Sequence, residues 1–72
     1  MMIKAINAKN QFQGQIRKIT RGDVVSEVEV DIGAGIITSI ITTSSVDDLA
    51  LKPGSRVIAL FKSTEVALAS LV

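Results

Sequence analysis

Hydrogen-bond donors that could bind an anion recur along this 72-residue sequence. They are hydroxyl, amide and lysine side chains, at positions Asn7, Lys9, Asn10, Thr42, Thr43, Ser44, Ser45, Lys62, Ser63 and Thr64. Many donors with few fixed charges suit a small tetrahedral oxyanion, because hydrogen bonds to an ionised partner are roughly twice as strong as neutral ones. Each residue alone is more often a solvated turn residue or a helix cap, so the set by itself does not establish a site.

Residues suited to catalysis are scarce. The sequence contains no histidine and no cysteine, which removes the commonest general base, the commonest metal ligand and the thiolate nucleophile. Lys9 and Lys62 would act as bases only if they were strongly desolvated, and no residue that would desolvate them is evident. We therefore expect a binding protein and not an enzyme.

Nucleic-acid binding, a common function of small β-barrels, is disfavoured by the same composition. It requires aromatic side chains for base stacking and a basic groove, whereas Phe12 and Phe61 are the only aromatic residues and the net charge is +1. The charges are interspersed, so attraction to an anionic membrane is not supported either. A nucleic-acid-binding module remains an alternative that binding measurements would separate.

The hydroxyl run from Thr42 to Ser45 must be positioned by the elements on either side of it. Ser44 with Asp47, or Ser45 with Asp48, matches the capping pattern of a short helix. The Pro53-Gly54 dipeptide then ends that helix and turns the chain into the next strand. A capped connection between two strands explains this stretch, and an anion cradle built from hydroxyl and amide groups is the functional alternative.

Five segments predict β-strands: 11–20, 24–32, 35–42, 56–62 and 65–72. In the first, Phe12, Gly14 and Ile16 share a face but Ile19 breaks the period of two, which predicts a bulge or bend near Arg17-Lys18. Turns are expected at Arg21-Gly22-Asp23 and at Gly33-Ala34-Gly35.

Alternation is clearest in segment 24–32, where Val28, Val30 and Ile32 face one way and acidic residues face the other. Segments 35–42, 56–62 and 65–72 are apolar on both faces, and a monomer of this size has only one interior. Another chain must cover the second face, so we expect an obligate homo-oligomer. Five short strands, with one short helix between strands 3 and 4, predict an all-β fold, a small Greek-key barrel of the oligonucleotide-binding type.

The location expected from the sequence is cytoplasmic. Cysteine is absent, the N-terminus is too short and polar for a signal peptide, and no run approaches the roughly 20 apolar residues that span a bilayer.

Four segments together resemble the molbindins, the small molybdate-binding Mop proteins of the TOBE domain type. They are NAKNQFQG at 7–14, ITTSSV at 41–46, LKPGS at 51–55 and ALFKSTEV at 59–66. The resemblance covers nearly the whole chain, treated as one Mop domain over 1–72. It implies a barrel that exchanges its first strand within a dimer, three dimers forming a hexamer, and storage of molybdate or tungstate between subunits, without an organic cofactor.

Carried over by position, the resemblance implies an oxyanion site formed by Asn7, Lys9, Thr42, Ser45, Lys62 and Ser63. Asn7 and Lys9 depart from the serine and arginine of the family pattern. An amide donates as a hydroxyl does but is bulkier, and a lysine keeps the charge but loses the bidentate geometry of arginine. These changes bear on affinity and ion preference. They also leave open a structural or regulatory domain that keeps the fold and has lost the ligand.

Overall fold

The computed structural model describes residues 7–72, which contain four β-strands, one α-helix and one short 3-10 helix. The strands are β1 (Asn10–Thr20), β2 (Val25–Asp31), β3 (Ile36–Thr42) and β4 (Arg56–Phe61). The helix α1 (Thr43–Asp48) follows β3 directly, and the 3-10 helix η1 (Ser63–Glu65) follows β4. The helices within this part of the chain are too short to cross a membrane.

The four strands form one curled antiparallel sheet in the order β3-β2-β1-β4. The long strand β1 pairs along one half with β4 and along the other half with β2. Its register shifts between Ile16 and Lys18, which places the irregularity at Arg17 and confirms the predicted bulge. A bulge bends its strand and increases the local twist, so it lets β1 serve both halves of the curled sheet.

The core lies on the concave face of this sheet. Ile16, Val28, Val30 and Val46 are buried together, and β2 alternates as the sequence predicts. On β3 the alternation leaves Ile36 and Ile40 exposed on the convex face, while Ile37 and Ile41 turn inward. The second apolar face expected for this strand is therefore present and uncovered in a single chain.

Both predicted turns are confirmed. The chain reverses between Thr20 and Val25, and at the second turn the Ile32 amide donates to Gly35 at 3.0 Å. Gly33 has a φ of 89°, a conformation that glycine adopts without steric cost.

Two predictions about α1 are wrong, and the fifth predicted strand is not confirmed. The helix is capped by Thr42 rather than by Ser44 or Ser45, and it ends at Asp48 rather than at Pro53-Gly54. Pro53-Gly54 does turn the chain into β4 as predicted, and the Ser55 amide donates to the Lys52 carbonyl at 2.9 Å. The fifth strand, expected at 65–72, is not formed within the single chain: residues 66–72 follow η1 without joining the sheet. A strand needs a neighbour for its backbone hydrogen bonds, and this segment instead leaves Leu68 and Leu71 more than nine-tenths exposed.

Candidate functional site

The hydroxyl groups at the start of α1 form a compact cluster. Thr42 has an extended backbone, and its Oγ1 accepts the Ser45 amide proton at 3.1 Å, which makes it the N-cap. The Ser45 Oγ lies 2.7 Å from the same oxygen, and the Ser44 hydroxyl donates to it at 3.2 Å. Thr42 and Ser44 are exposed and Ser45 is half-buried.

A count of protons assigns the direction of the Thr42–Ser45 contact. A hydroxyl has one proton and two acceptor lone pairs. Thr42 Oγ1 already accepts from the Ser45 amide and from Ser44, so its own proton is donated to Ser45 Oγ. With this assignment the Ser45 hydroxyl proton is not used within the cluster, so Ser45 can donate to another acceptor.

The hydroxyl groups, and not the helix dipole, are the relevant feature of α1. The helix has six residues, of which Thr43 and Val46 are buried, and such a short helix carries only a small macrodipole. It also bears Asp47, whose carboxylate meets Arg21 through Nη1–Oδ1 at 3.0 Å and Nη2–Oδ2 at 3.3 Å. The hydrogen bond to Asp47 and the attraction between the two charges raise the pKa of Arg21 above its ordinary value.

A second group of predicted ligands lies where β1 begins and β4 ends. Asn10 pairs with Phe61 across the ladder, and its Nδ2 donates to the Phe61 carbonyl at 3.3 Å. The two exposed residues Asn7 and Lys9 precede Asn10, while Lys62 and Ser63 follow Phe61. The pairing therefore holds these four residues at one end of the β1–β4 ladder.

The segment after β4 is shaped by a carboxylate. The Lys62 amide donates to Glu65 Oε1 at 2.8 Å, and the Glu65 amide donates back to the Lys62 carbonyl at 2.9 Å. These reciprocal bonds fold 62–65 into a tight turn. Glu65 thereby places a negative charge beside the Lys62 and Ser63 donors, which an anion bound there would have to tolerate.

The two groups of predicted ligands lie at opposite ends of the sheet. Thr42 pairs with Val25 near the end of β1 at Thr20, whereas the Lys62 group lies near its beginning at Asn10. These pairings put most of the length of β1 between the Thr42–Ser45 group and the Lys62–Ser63 group. The structure of one chain therefore does not show the six predicted residues as one site.

The chemistry open to these residues is recognition of an anion by neutral and cationic donors. Residues 7–72 contain no grouping of three or more acidic, histidine or cysteine side chains that could hold a metal cation. The two phenylalanines stack on each other, with ring centroids 5.8 Å apart. Sequence reasoning gave no role to Ser26, whose hydroxyl lies 2.7 Å from that of Thr43 across 17 residues of sequence. No local pattern signals a contact of that kind.

Comparison with known proteins places this chain in a family. Residues 6–68 match the TOBE domain family. The chain is 40% identical to molybdenum-pterin-binding protein 3 of Clostridium pasteurianum over 63 residues. These residues are 86% of this chain and 93% of the relative.

Two solved structures have the same fold. MopII from Clostridium pasteurianum superposes with a TM-score of 0.86 at 37% identity, covering 92% of this chain and 100% of MopII. A molybdate-binding protein from Sporomusa ovata gives a TM-score of 0.88 at 32% identity, covering 92% and 98%. The chain therefore belongs to the TOBE domain family and, within it, to the Mop proteins.

Proposed function

We propose that this protein binds molybdate, or the closely similar tungstate, at seams between copies of its own chain, and that it stores the oxyanion in the cytoplasm. One observation carries the proposal: the predicted ligands form two groups at opposite ends of one sheet. A site that uses both groups needs the Thr42–Ser45 end of one chain and the Lys62–Ser63 end of another. The names of the relatives supply the ligand class.

Discrimination between ions follows from the type of donors. In the proposed site, Ser45 presents its hydroxyl proton and Lys62 its ammonium group to the ion, so both groups act there as donors. A fully deprotonated dianion satisfies every donor, whereas hydrogen phosphate brings a proton that needs an acceptor and leaves a polar group unpaired. Sulfate has the charge and shape of molybdate, so its rejection depends on the size of the assembled cavity.

The proposal commits to the inorganic ion and not to a pterin. An aromatic platform is the usual means of binding a flat heterocycle, and the two aromatic side chains of this protein are stacked on each other. We accordingly propose no organic cofactor, no catalytic reaction, and neither nucleic acid nor membrane as a partner.

The proposed assembly is a hexamer of three dimers that exchange the first strand, each chain contributing one Mop domain over 1–72. It is supported by apolar side chains that a single chain leaves in water. Ile40 on β3 is 63% exposed and Leu71 is 98% exposed. Neighbouring chains would bury these surfaces, at roughly 25 cal/mol for each Å² of apolar area removed from water.

The function is tested by calorimetric titration of the ligand-free protein with molybdate, tungstate, sulfate and phosphate, alongside native mass spectrometry. We expect molybdate and tungstate to bind with a defined number of ions per hexamer and phosphate to give no heat of binding. An assembled hexamer that binds none of these oxyanions would indicate a structural domain without a ligand. A stable monomer that binds molybdate would contradict the proposed seams.

A further inference from the structure

Thr43, which follows the Thr42 N-cap, makes contacts unlike those of its neighbours. Thr43 is the first residue of the helix and is only 9% exposed, whereas Thr42, Ser44 and Ser45 hydrogen-bond to one another at the surface. The Thr43 amide donates to the Val24 carbonyl at 2.8 Å, and its hydroxyl donates to the Gly22 carbonyl at 2.8 Å. Both acceptors belong to the turn between β1 and β2.

A third hydrogen bond attaches Thr43 to β2. The Ser26 hydroxyl, on β2, lies 2.7 Å from Thr43 Oγ1, and Ser26 is 2% exposed. A carbonyl only accepts, so the single Thr43 proton is committed to Gly22 and Ser26 must be the donor to Thr43. The result is a buried directional chain from the Ser26 hydroxyl through the Thr43 hydroxyl to the Gly22 carbonyl.

The turn whose carbonyl groups accept these hydrogen bonds is itself closely packed. A Cβ built on Gly22 would lie 2.4 Å from the Val25 carbonyl oxygen, so the backbone of the turn closes on itself without room for a side chain. The Gly22 carbonyl is therefore a fixed reference point, and the β2 ladder fixes Ser26 in the same way. Three hydrogen bonds to fixed groups set the rotation of the first turn of α1.

We propose that Thr43 is a positioning residue for the oxyanion site: its buried contacts with Ser26 and Gly22 hold the adjacent Thr42–Ser45 hydroxyl pair in the orientation that meets the ion. This inference rests on the proposed function. Thr43 does not touch the ion itself, because its proton is directed into the protein. Its effect reaches the site through the backbone of residues 42–45, where the Thr42 cap and the Ser45 donor depend on the first helical turn.

The alternative is that Thr43 merely fills space under α1. Valine and serine separate the two roles, because valine keeps the shape of threonine without the hydroxyl, whereas serine keeps the hydroxyl without the methyl group. If the hydroxyl chain positions the site, Thr43→Val lowers molybdate affinity and Thr43→Ser preserves it. If packing alone matters, Thr43→Ser is the more damaging change.

The experiment is calorimetric titration of the full-length wild type, T43V and T43S with sodium molybdate, with Thr20→Val, at the exposed end of β1, as the matched control. Loss of a group that orients a ligand lowers affinity about 10- to 100-fold in metal sites. We expect a loss of at least about tenfold for T43V and less than about twofold for T43S and the control. Hydrogen exchange of the Ser45 amide, which bonds to Thr42, should be faster in ligand-free T43V.

Two outcomes overturn the inference while leaving the proposed function in place: T43V binding molybdate as the wild type does, or T43S and T43V losing affinity equally. Wild-type protein that binds no molybdate overturns the proposed function and the inference with it. If T43V does not fold, Ser26→Ala decides, since it removes the donor to Thr43 and keeps the bond to Gly22. A folded S26A variant with unchanged affinity and unchanged Ser45 exchange would then count against the positioning role.

Discussion

Arg21 and Asp47 form a two-point contact between the first turn of the chain and α1, with Nη1–Oδ1 at 3.0 Å and Nη2–Oδ2 at 3.3 Å. Both side chains are more than half exposed. The pair joins residues 26 positions apart and approaches α1 from the same turn that holds Thr43. The ion pair therefore adds a contact at the surface to the buried hydrogen bonds that Thr43 makes with the same turn.

Replacing Arg21 by methionine should lower thermal stability slightly, and the loss should shrink as salt is added. Exposed ion pairs contribute little and are screened by salt, whereas the buried hydrogen bonds of Thr43 are not. The measurement is the unfolding temperature at low and high ionic strength and fixed protein concentration, with Arg56→Met as the control. A loss that is large and independent of salt would contradict this account, because a screened surface ion pair could not produce it.

The Arg21 contribution should not depend on pH between about 6 and 9. The contact raises the pKa of Arg21 above its ordinary value. Its stabilisation is therefore fully present below the unfolded-state pKa and is lost only when the pH rises through the folded-state pKa, in strongly alkaline solution. Unfolding of wild type and R21M across the neutral range should differ by a constant amount, and a difference that grows with pH would contradict this account.

Gly14→Ala should destabilise the protein where β1 passes from β4 to β2. A Cβ at this position would lie 2.5 Å from the Asp31 carbonyl oxygen and 2.9 Å from Val30 Cγ1, so backbone atoms would have to move. We expect a cost of about 1 to 3 kcal/mol in the free energy of unfolding, measured by chemical denaturation. Gly35→Ala is the control, because a Cβ there meets nothing within 4 Å. Equal effects of the two changes would show that the close approach of β2 to Gly14 does not limit the side chain there.

Val46→Ala should weaken the attachment of α1 to the sheet. Val46 is 2% exposed and packs in the core cluster with Ile16, Val28 and Val30. Removing its two methyl groups should cost roughly 2 kcal/mol, from lost apolar burial and the cavity that remains. Val24→Ala, at a position 74% exposed, should cost much less under the same denaturant conditions. A loss no greater than that of the control would mean that the core closes around the cavity.

The sequence pattern predicted the strands best where one face is buried. Val28 and Val30 alternate with acidic residues, and both are buried as expected. The break in period at Ile19 located the bulge at Arg17, because the core contacts of Ile16 and Ile19 require an extra residue between them. The family resemblance was carried by the order and spacing of four segments over nearly the whole chain, and the family match spans residues 6–68.

The local sequence pattern failed to predict structure in two situations. In one, several neighbouring residues could cap the helix, and in the other, a segment pairs with residues far away in the sequence or in another chain. Thr42, Ser44 and Ser45 can each cap a helix, and the actual cap is set by where the β3 ladder ends, at the Val25–Thr42 pair. Segment 65–72 is as apolar as a buried strand, yet it forms no strand in one chain, since pairing depends on a neighbour. The six predicted ligands stay a prediction, because the structure of a single chain separates them into two groups.

Removing one donor from each group should weaken molybdate binding. Ser45→Ala deletes the hydroxyl group proposed to donate to the ion, and Lys62→Met deletes the ammonium group while keeping most of the aliphatic chain. A hydrogen bond to a charged group contributes about 1.5 to 3 kcal/mol, so each variant should lose roughly 10- to 100-fold in affinity, measured by calorimetry. Lys52→Met, at the turn before β4, is the matched control and should bind as the wild type does. Unchanged affinity in K62M would remove Lys62 from the proposed site.

Co-assembly of these two variants tests whether one ion contacts both groups from different chains. The S45A chain keeps an intact Lys62 end, and the K62M chain keeps an intact Ser45 end. A seam where the Lys62 end of an S45A chain meets the Ser45 end of a K62M chain is therefore complete. Random mixing of equal amounts leaves about one seam in four with both ends intact, and high-affinity binding should return to that fraction of sites. If both groups acted within a single chain, every chain would carry one defect and mixing would restore nothing. The experiment compares molybdate binding by the variants refolded together with binding by the variants refolded separately. It therefore tests whether the two halves of the site come from different chains.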